Sequence, residues 1–364
     1  MNTIGQNIKI TFFGESHGTH IGIVIDNLPS GLKIDEDLIK FNLSKRRPAE
    51  NISTTRVEKD NYQIISGFYN GFTTGGALTF LIENKSTHSG DYKNLNQTPR
   101  PSHSDYPASI KYNGFNDFRG GGFFSGRLTA LWIIIGSISE QILKKHNILV
   151  GSHIYSLKNL EDEPFNMNET NQKQLKQLNL DNFPVINSET KSKMLDLIEK
   201  TKTDQDSIGG IIESKVINLP VGLGEPYFLS VESYISQLLF SIPAIKGVEF
   251  GKGFDITKNN ASEVNDEYVI NNKKVSTTSN NNGGILGGLT NGRPIIIKTA
   301  VKPTPSIAKA QNTVNLDTLK ETKLKIVGRH DPQIVSRVIH VVNAVLYFAC
   351  LDFLLFNNRK DVLF

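Results

Sequence analysis

Cysteine is nearly absent. Cys350 alone in 364 residues cannot form an intramolecular disulfide or contribute to a cysteine-rich metal site, so a reducing interior is the simplest setting. Histidines and carboxylates lack the spacing that organises a metal centre, and no metal is expected. Met1 to Gln6 shows no charged leader followed by an apolar core, so no signal peptide is expected. Long apolar runs are also scarce. The most membrane-like segment, Val341 to Phe356, is interrupted by Asn343 and Asp352. It falls short of the ~20 apolar residues that span a bilayer, so a buried C-terminal helix is expected in a soluble, cytoplasmic protein. A net charge of +4, with no basic tail and no basic residues interleaved with exposed aromatics, argues against nucleic-acid binding.

What is present suffices for a substantial core. The chain is 38% hydrophobic and shows no interdomain linker, so residues 1–364 read as one domain. Strands are expected over Ile8–Phe13, Gly22–Ile25, Gln63–Phe68, Ala77–Ile82, Ile208–Ile217, Gly247–Phe250 and Ile295–Val301. Helices are expected over Asp35–Leu43, Leu128–Lys145, Glu189–Lys200, Leu229–Ser241 and Asp331–Phe356. Strands and helices do not alternate as in a doubly wound sheet, which points to a mixed α+β sandwich. A polar stretch from about 159 to 187 reads as a surface insertion, and 259–284 as a loop long enough to be mobile or a lid.

The most informative run is Arg119-Gly120-Gly121-Gly122-Phe123-Phe124-Ser125-Gly126-Arg127. Consecutive glycines let backbone N–H groups turn toward one oxyanion, and flanking guanidiniums add paired donors suited to phosphate or carboxylate. The helix expected after it would add a favourable dipole. A nucleotide P-loop is the tempting alternative, but Arg127 and Leu128 stand where that motif needs Lys and Ser or Thr. A plain glycine turn before a helix would be the better reading if the run stood alone.

Other clusters change that balance. Gly14-Glu15-Ser16-His17-Gly18 follows the first strand, and Arg100-Pro101-Ser102-His103-Ser104-Asp105-Tyr106 repeats the pairing of histidine with hydroxyls. Two such histidines could divide acid–base work near neutral pH. Lys45-Arg46-Arg47-Pro48 ends the first helix, where cations also simply favour the dipole. Gly328-Arg329-His330-Asp331-Pro332 opens the last helix, with Asp331 as a candidate N-cap and Arg337 further along. Gly283 to Gly288 and Lys302-Pro303-Thr304-Pro305-Ser306 flank one strand, and the second offers a lysine and hydroxyls to a planar or phosphorylated cofactor.

Taken in order, these motifs, together with the phrase Val221-Gly222-Leu223-Gly224-Glu225-Pro226, resemble chorismate synthase from Asn2 to about residue 356. The resemblance implies a β-α-β sandwich assembled as a homotetramer. It also implies a lyase that converts 5-enolpyruvylshikimate 3-phosphate to chorismate by anti 1,4-elimination of phosphate, dependent on reduced FMN. By resemblance, Arg46, Arg47, Arg100, Arg127, Arg329 and Arg337 bind substrate, and His17 protonates the departing phosphate. His103 stabilises the reduced flavin, and Asp331 supports proton removal. Ser16, Ser125, Ala244, Gly287, Lys302, Pro303, Thr304, Pro305, Ser306 and Arg329 match FMN-contacting positions, and Arg46 matches a nicotinamide-nucleotide position. An external flavin reductase is implied, with NADPH only the indirect source of reducing equivalents. The chain departs from the usual form at Phe123-Phe124, where Arg and Ser are common, at Pro243 in place of Asn, and at Ile52 in place of a basic residue. A flavin-binding protein without elimination activity is the competing reading, although it would have no need of His17 or Asp331.

Overall fold

The computed structural model describes residues 2–47, 60–85, 97–271, 273–326, 330–357 and 360–363. Eight helices occur in them: α1 Glu36–Lys45, α2 Asp105–Lys111, α3 Thr129–Lys145, α4 Gln172–Leu180, α5 Ser188–Thr203, α6 Val231–Phe240, α7 Ala261–Val264 and α8 Val335–Phe356. Two five-stranded antiparallel sheets carry the rest of the framework. The first runs Thr3–Ile4, Lys9–Gly14, His20–Asp26, Leu78–Glu83, Tyr62–Ser66 in spatial order. The second runs Ile245–Phe250, Ile295–Val301, Gly210–Ile217, Leu149–Leu157, Leu160–Glu161.

Helices α3 and α8 lie between the sheets, as their composition requires. Both are apolar around most of their circumference, and a helix of that kind must be buried on all sides. Trp132 on α3 meets Phe12 of the first sheet edge-on at 5.1 Å and Phe348 of α8 at 5.6 Å. On the far side, the Tyr347 hydroxyl of α8 bonds to the backbone of Val150 in the second sheet. The helices can approach because Gly136 has no Cβ: one there would lie 2.3 Å from the Ala344 methyl. The result is the expected α+β sandwich, with one large core and a smaller buried cluster beside it.

Three expectations need correction. The 159–187 segment is not merely a surface insertion. Leu175 and Leu178 of α4 are buried with Leu149, Phe165 and Ile217, and Asp162 anchors the segment by accepting from Ile186 N, Asn187 N and His153. His153 lies fully buried between Asp162 and Glu213, and burial opposes its charge, but the two carboxylates win and raise its pKa. The 259–284 segment holds α7 and a hairpin of Tyr268–Asn271 with Lys274–Thr277, organised around the Asp266 carboxylate, which accepts from Asn281 N, Asn282 N and Ser279 Oγ. Finally, α8 begins at Val335 and not at Asp331. Gln333 Oε1 accepts from Ser336 N, so Asp331 is not the cap.

At 22 residues α8 is long and apolar enough to cross a membrane, but 83% of its most apolar window is buried inside the protein. Asp352 explains its polar interruption. This fully buried carboxylate accepts from Gln6 N, Asn7 N and Ile8 N at 2.6–2.8 Å and from the Tyr234 hydroxyl at 2.5 Å, tying the N-terminal segment and α6 to α8. Asp352→Asn removes the charge and places an NH2 among donors, so an unfolding free energy lower by about 2 kcal/mol is expected in urea denaturation. An unchanged midpoint would mean the carboxylate's charge is not needed.

Candidate active site

A cavity of about 670 Å³ opens where the end of α1, the glycine run, the start of α8 and the Lys302 loop converge. Each wall has a local cause. The strand Lys9–Gly14 ends at Gly14 with φ near +91°, and the following turn is pinned by Asn84, whose amide donates to Glu15 O and Gly18 O. That turn aims His17, which is 7% exposed, at the cavity. Gly120 is the reason it fits, because a Cβ there would sit 2.0 Å from His17 Nδ1. Gly120, Gly121 and Gly122 all have positive φ, and a Cβ on Gly122 would meet the Asp117 carbonyl at 2.0 Å.

The run was expected to cradle an anion between two arginines, and only half of that geometry is present. Arg119 turns outward, half-exposed, and pairs with Asp117 at 2.8 Å. Arg127 turns inward. The glycines lie within one short 3-10 segment, Arg119–Phe124, and a second, Gly126–Leu128, separates them from α3, so they do not form that helix's N-terminus.

Arg46, the C-cap of α1, and Arg127 are both buried and converge on the Asp60 carboxylate, which is itself 1% exposed. Arg46 Nη2 donates to Asp60 Oδ2 at 3.2 Å, Arg127 Nη1 donates to Oδ1, and Arg127 Nε donates to Asn84 Oδ1 at 3.1 Å. Burial pushes the Arg46 pKa down to about 10, against the opposing pull of Asp60. Burial would raise the Asp60 pKa, but the two guanidiniums prevail and hold it below the usual carboxylate range. Arg337 donates from Nε to Arg46 O at 3.2 Å and from Nη1 to Asp331 Oδ2 at 3.1 Å. Arg46 Nε and Arg47 Nε are buried without a hydrogen-bond partner among the described residues, an arrangement that suits an incoming anion.

His103 also lines the cavity, beside Gly121. Its Nδ1 is 2.6 Å from Asp105 Oδ1, and Arg100 holds Asp105 in a fork with both bonds at 2.7 Å. Burial opposes ionisation of Asp105, but the bonds from Arg100 and His103 outweigh it and keep the carboxyl well below its ordinary range. Lys302 Nζ donates to Ser102 O at 2.9 Å, and Lys302 N donates to Ala244 O. Ser102 and Ala244 both have positive φ without being glycine, strain of the kind that clusters at functional sites.

Of the residues named from sequence, His17, His103, Asp331, Arg46, Arg47, Arg127, Arg337, Ser16, Ser125, Ala244, Lys302, Thr304 and Pro305 line this cavity. Arg100 does not reach the wall, because its guanidinium is occupied by Asp105 behind His103. Ser306 accepts from Arg100 there at 3.4 Å, and Pro303 packs at Gly209 on another side of the loop. Gly287 sits in the tight turn between Ile285–Leu286 and Leu289–Thr290, away from the cavity. Arg329 and Ile52 lie outside the described residues. Sequence reading missed Asp60 and Asn84. Asp60 occurs in Glu58-Lys59-Asp60-Asn61, which looks like any solvated charged turn.

The decisive observation comes from comparison with known proteins. The family model for chorismate synthase matches residues 8–355.

The chain belongs to the chorismate synthase family.

Chorismate synthase of Pyrococcus abyssi is 43% identical over 354 residues, covering 97% of this chain and 98% of that protein. The Dehalococcoides mccartyi (strain ATCC BAA-2266 / KCTC 15142 / 195) chorismate synthase is 42% identical, with 96% of each chain covered. A solved structure titled "Crystal Structure of Chorismate Synthase" superposes with a TM-score of 0.75 at 26% identity, covering 97% of this chain and 93% of that one. Membership makes the chain a lyase. Chorismate synthase family residues thus account for nearly its whole length, and the cavity collects the charged motifs quoted from the sequence.

Proposed function

We propose that this lyase converts 5-enolpyruvylshikimate 3-phosphate to chorismate by FMNH2-dependent anti 1,4-elimination of phosphate. One observation carries the reading. A single cavity gathers four arginines, two histidines and Asp331, the complement needed for a substrate with one phosphate and two carboxylates and for a proton to move at each end of a diene system.

The residues fit the flavin as well as the substrate. Lys302, Thr304 and Pro305 offer a cation, a hydroxyl and a rigid surface, and Phe123, Phe124 and Ala244 add apolar wall. When bound, reduced FMN supplies an electron-rich ring to a reaction with no net redox change. Arg46, Arg47, Arg127 and Arg337 bind and orient the anionic groups. His17 delivers a proton to the departing phosphate oxygen, which removes the charge that would otherwise build there. His103, fixed through Nδ1 by Asp105, would present Nε2 to the flavin. Asp331, held by Arg337, supports the proton acceptor.

The reading also carries a cytoplasmic homotetramer supplied with reduced flavin by a separate reductase. Nicotinamide nucleotide enters only indirectly, and its site at Arg46 belongs to the same proposal. The experiment is anaerobic: purified protein, reduced FMN and the enolpyruvyl substrate are mixed, and chorismate absorbance and phosphate release are followed. Folded, flavin-loaded protein that releases neither product would sink the proposal.

Phe123 and Phe124 are each 40% exposed and line the cavity. Large aromatics left accessible at a cavity wall suit a planar ring. Phe124→Ala and Phe123→Ala are expected to weaken FMN binding, at least one of them by about tenfold, equivalent to about 1.4 kcal/mol. Quenching of FMN fluorescence on titration measures this, and unchanged affinity in both variants would remove the phenyls from the flavin site.

A further inference from the structure

Three helices divide their faces between two cavities. The active-site cavity takes Arg46 at the end of α1, Thr129 of α3 and Arg337 of α8, whereas a second cavity of about 310 Å³ takes Lys45, Glu140 and His340 from the same helices. Helix α4 closes the second cavity with Leu175 and Leu180.

Its chemistry is cationic and apolar. Lys45, Lys144 and Lys176 line it against one carboxylate, Glu140, which is already engaged by Lys144 and by Asn42 Nδ2, both at 2.6 Å. Lys45 is buried, and its ammonium donates to the Leu180 carbonyl at the end of α4 and lies 5.4 Å from the Phe41 ring centre. An ammonium has three donors, so this one can take an anion as well. The second observation is independent. His340 Nε2 is buried with no hydrogen-bond partner among the described residues, and the residue lines this cavity. Burial, with Lys45 adding to it and the Asp181 carboxylate opposing it, pushes the His340 pKa down to about 3, so the ring is neutral and its Nε2 can carry a hydrogen to donate. A buried polar atom without a partner is costly, and such sites commonly mark a missing ligand or water. The remaining wall is apolar, with Phe41, Leu175 and Ala344 among its residues. The volume stands at the lower edge of small-molecule sites, roughly 300 Å³, which suits a ring-sized acid and excludes a nucleotide.

We propose that this second cavity binds a small carboxylate with an apolar, ring-sized body, its carboxylate between Lys45 Nζ and His340 Nε2 and its body against Phe41, Leu175 and Ala344. The site is separate from the catalytic cavity and independent of the reaction assigned there.

Benzoate and its uncharged isostere benzamide are the probes, titrated into the full-length protein and followed by NMR. Saturable benzoate binding with a Kd on the order of 1 mM is expected, with benzamide at least about tenfold weaker. Lys45→Met and His340→Leu should each weaken benzoate by about tenfold or more, while Arg47→Met in the active-site cavity leaves it unchanged. Absence of saturable binding, equal affinity for the two probes, or a loss confined to Arg47→Met would overturn the proposal. Should either cavity variant fail to fold, the wild-type protein decides: cross-relaxation between the benzoate ring and the Leu175 and Ala344 methyls supports the site, and its absence refutes it.

Discussion

His17→Ala is expected to slow chorismate formation by about 10²- to 10⁴-fold while FMN affinity changes by less than about twofold. The size follows from the role. Expelling phosphate without a proton donor leaves a developing charge that the arginines share with the rest of the substrate, whereas a positioned imidazole cancels it at the oxygen that leaves. The separation of the two readouts follows from geometry. His17 is held by the Gly14–Gly18 turn and packed on Gly120, whereas most of the surface suited to the flavin, Lys302 to Pro305 and the two phenyls, comes from other side chains. Single-turnover rates under anaerobic conditions, paired with fluorescence titration of FMN, make the measurement. Equal loss of both quantities would show that His17 shapes the flavin site and does not serve as the acid.

Asp60→Asn is expected to lower the unfolding free energy by about 3 kcal/mol, because it removes the carboxylate shared by two buried guanidiniums. Wild-type Asp60 is shared by Arg46 and Arg127, and the three side chains are almost entirely withdrawn from the surface. Inorganic phosphate should restore much of the loss, since a dianion can take the carboxylate's place between the arginines. At a concentration about 100 times its Kd the rescue would approach 2.7 kcal/mol. A mutant as stable as wild type in urea, or one that phosphate does not rescue, would contradict the pairing. The same carboxylate gives a pH dependence whose sign is fixed. Its folded pKa is depressed, so its contribution is present above the ordinary carboxylate pKa of about 4 and is lost as pH falls through the lower folded value. Asp60→Asn should therefore flatten the acid limb of the stability curve.

Much of the framework could be read along the chain. The strand Ile295–Val301 lies where it was expected, ending before Lys302-Pro303, and α3 and α5 differ from expectation by one to a few residues at their ends. Periodicity and caps are local properties, and local properties survive without knowledge of neighbours. The errors share a cause. Helix α4 was hidden because its polar face dominates the composition of 159–187, while two leucines suffice to bury the other face. The start of α8 was misplaced because Asp331 is a good N-cap by residue type, yet its carboxylate is held by Arg337.

By itself, the sequence determined the order and chemistry of the motifs, and hence the chorismate synthase resemblance, since co-linear phrases need no coordinates. Which charges meet is settled by packing. Arg119 and Arg127 flank the same glycines, yet one pairs outward with Asp117 while the other enters the cavity to share Asp60 with Arg46, 81 positions earlier in the chain. Electrostatic partnership depends on distance and burial, both set by the packing of α1, the glycine run and α8, and neither is written in spacing along the chain.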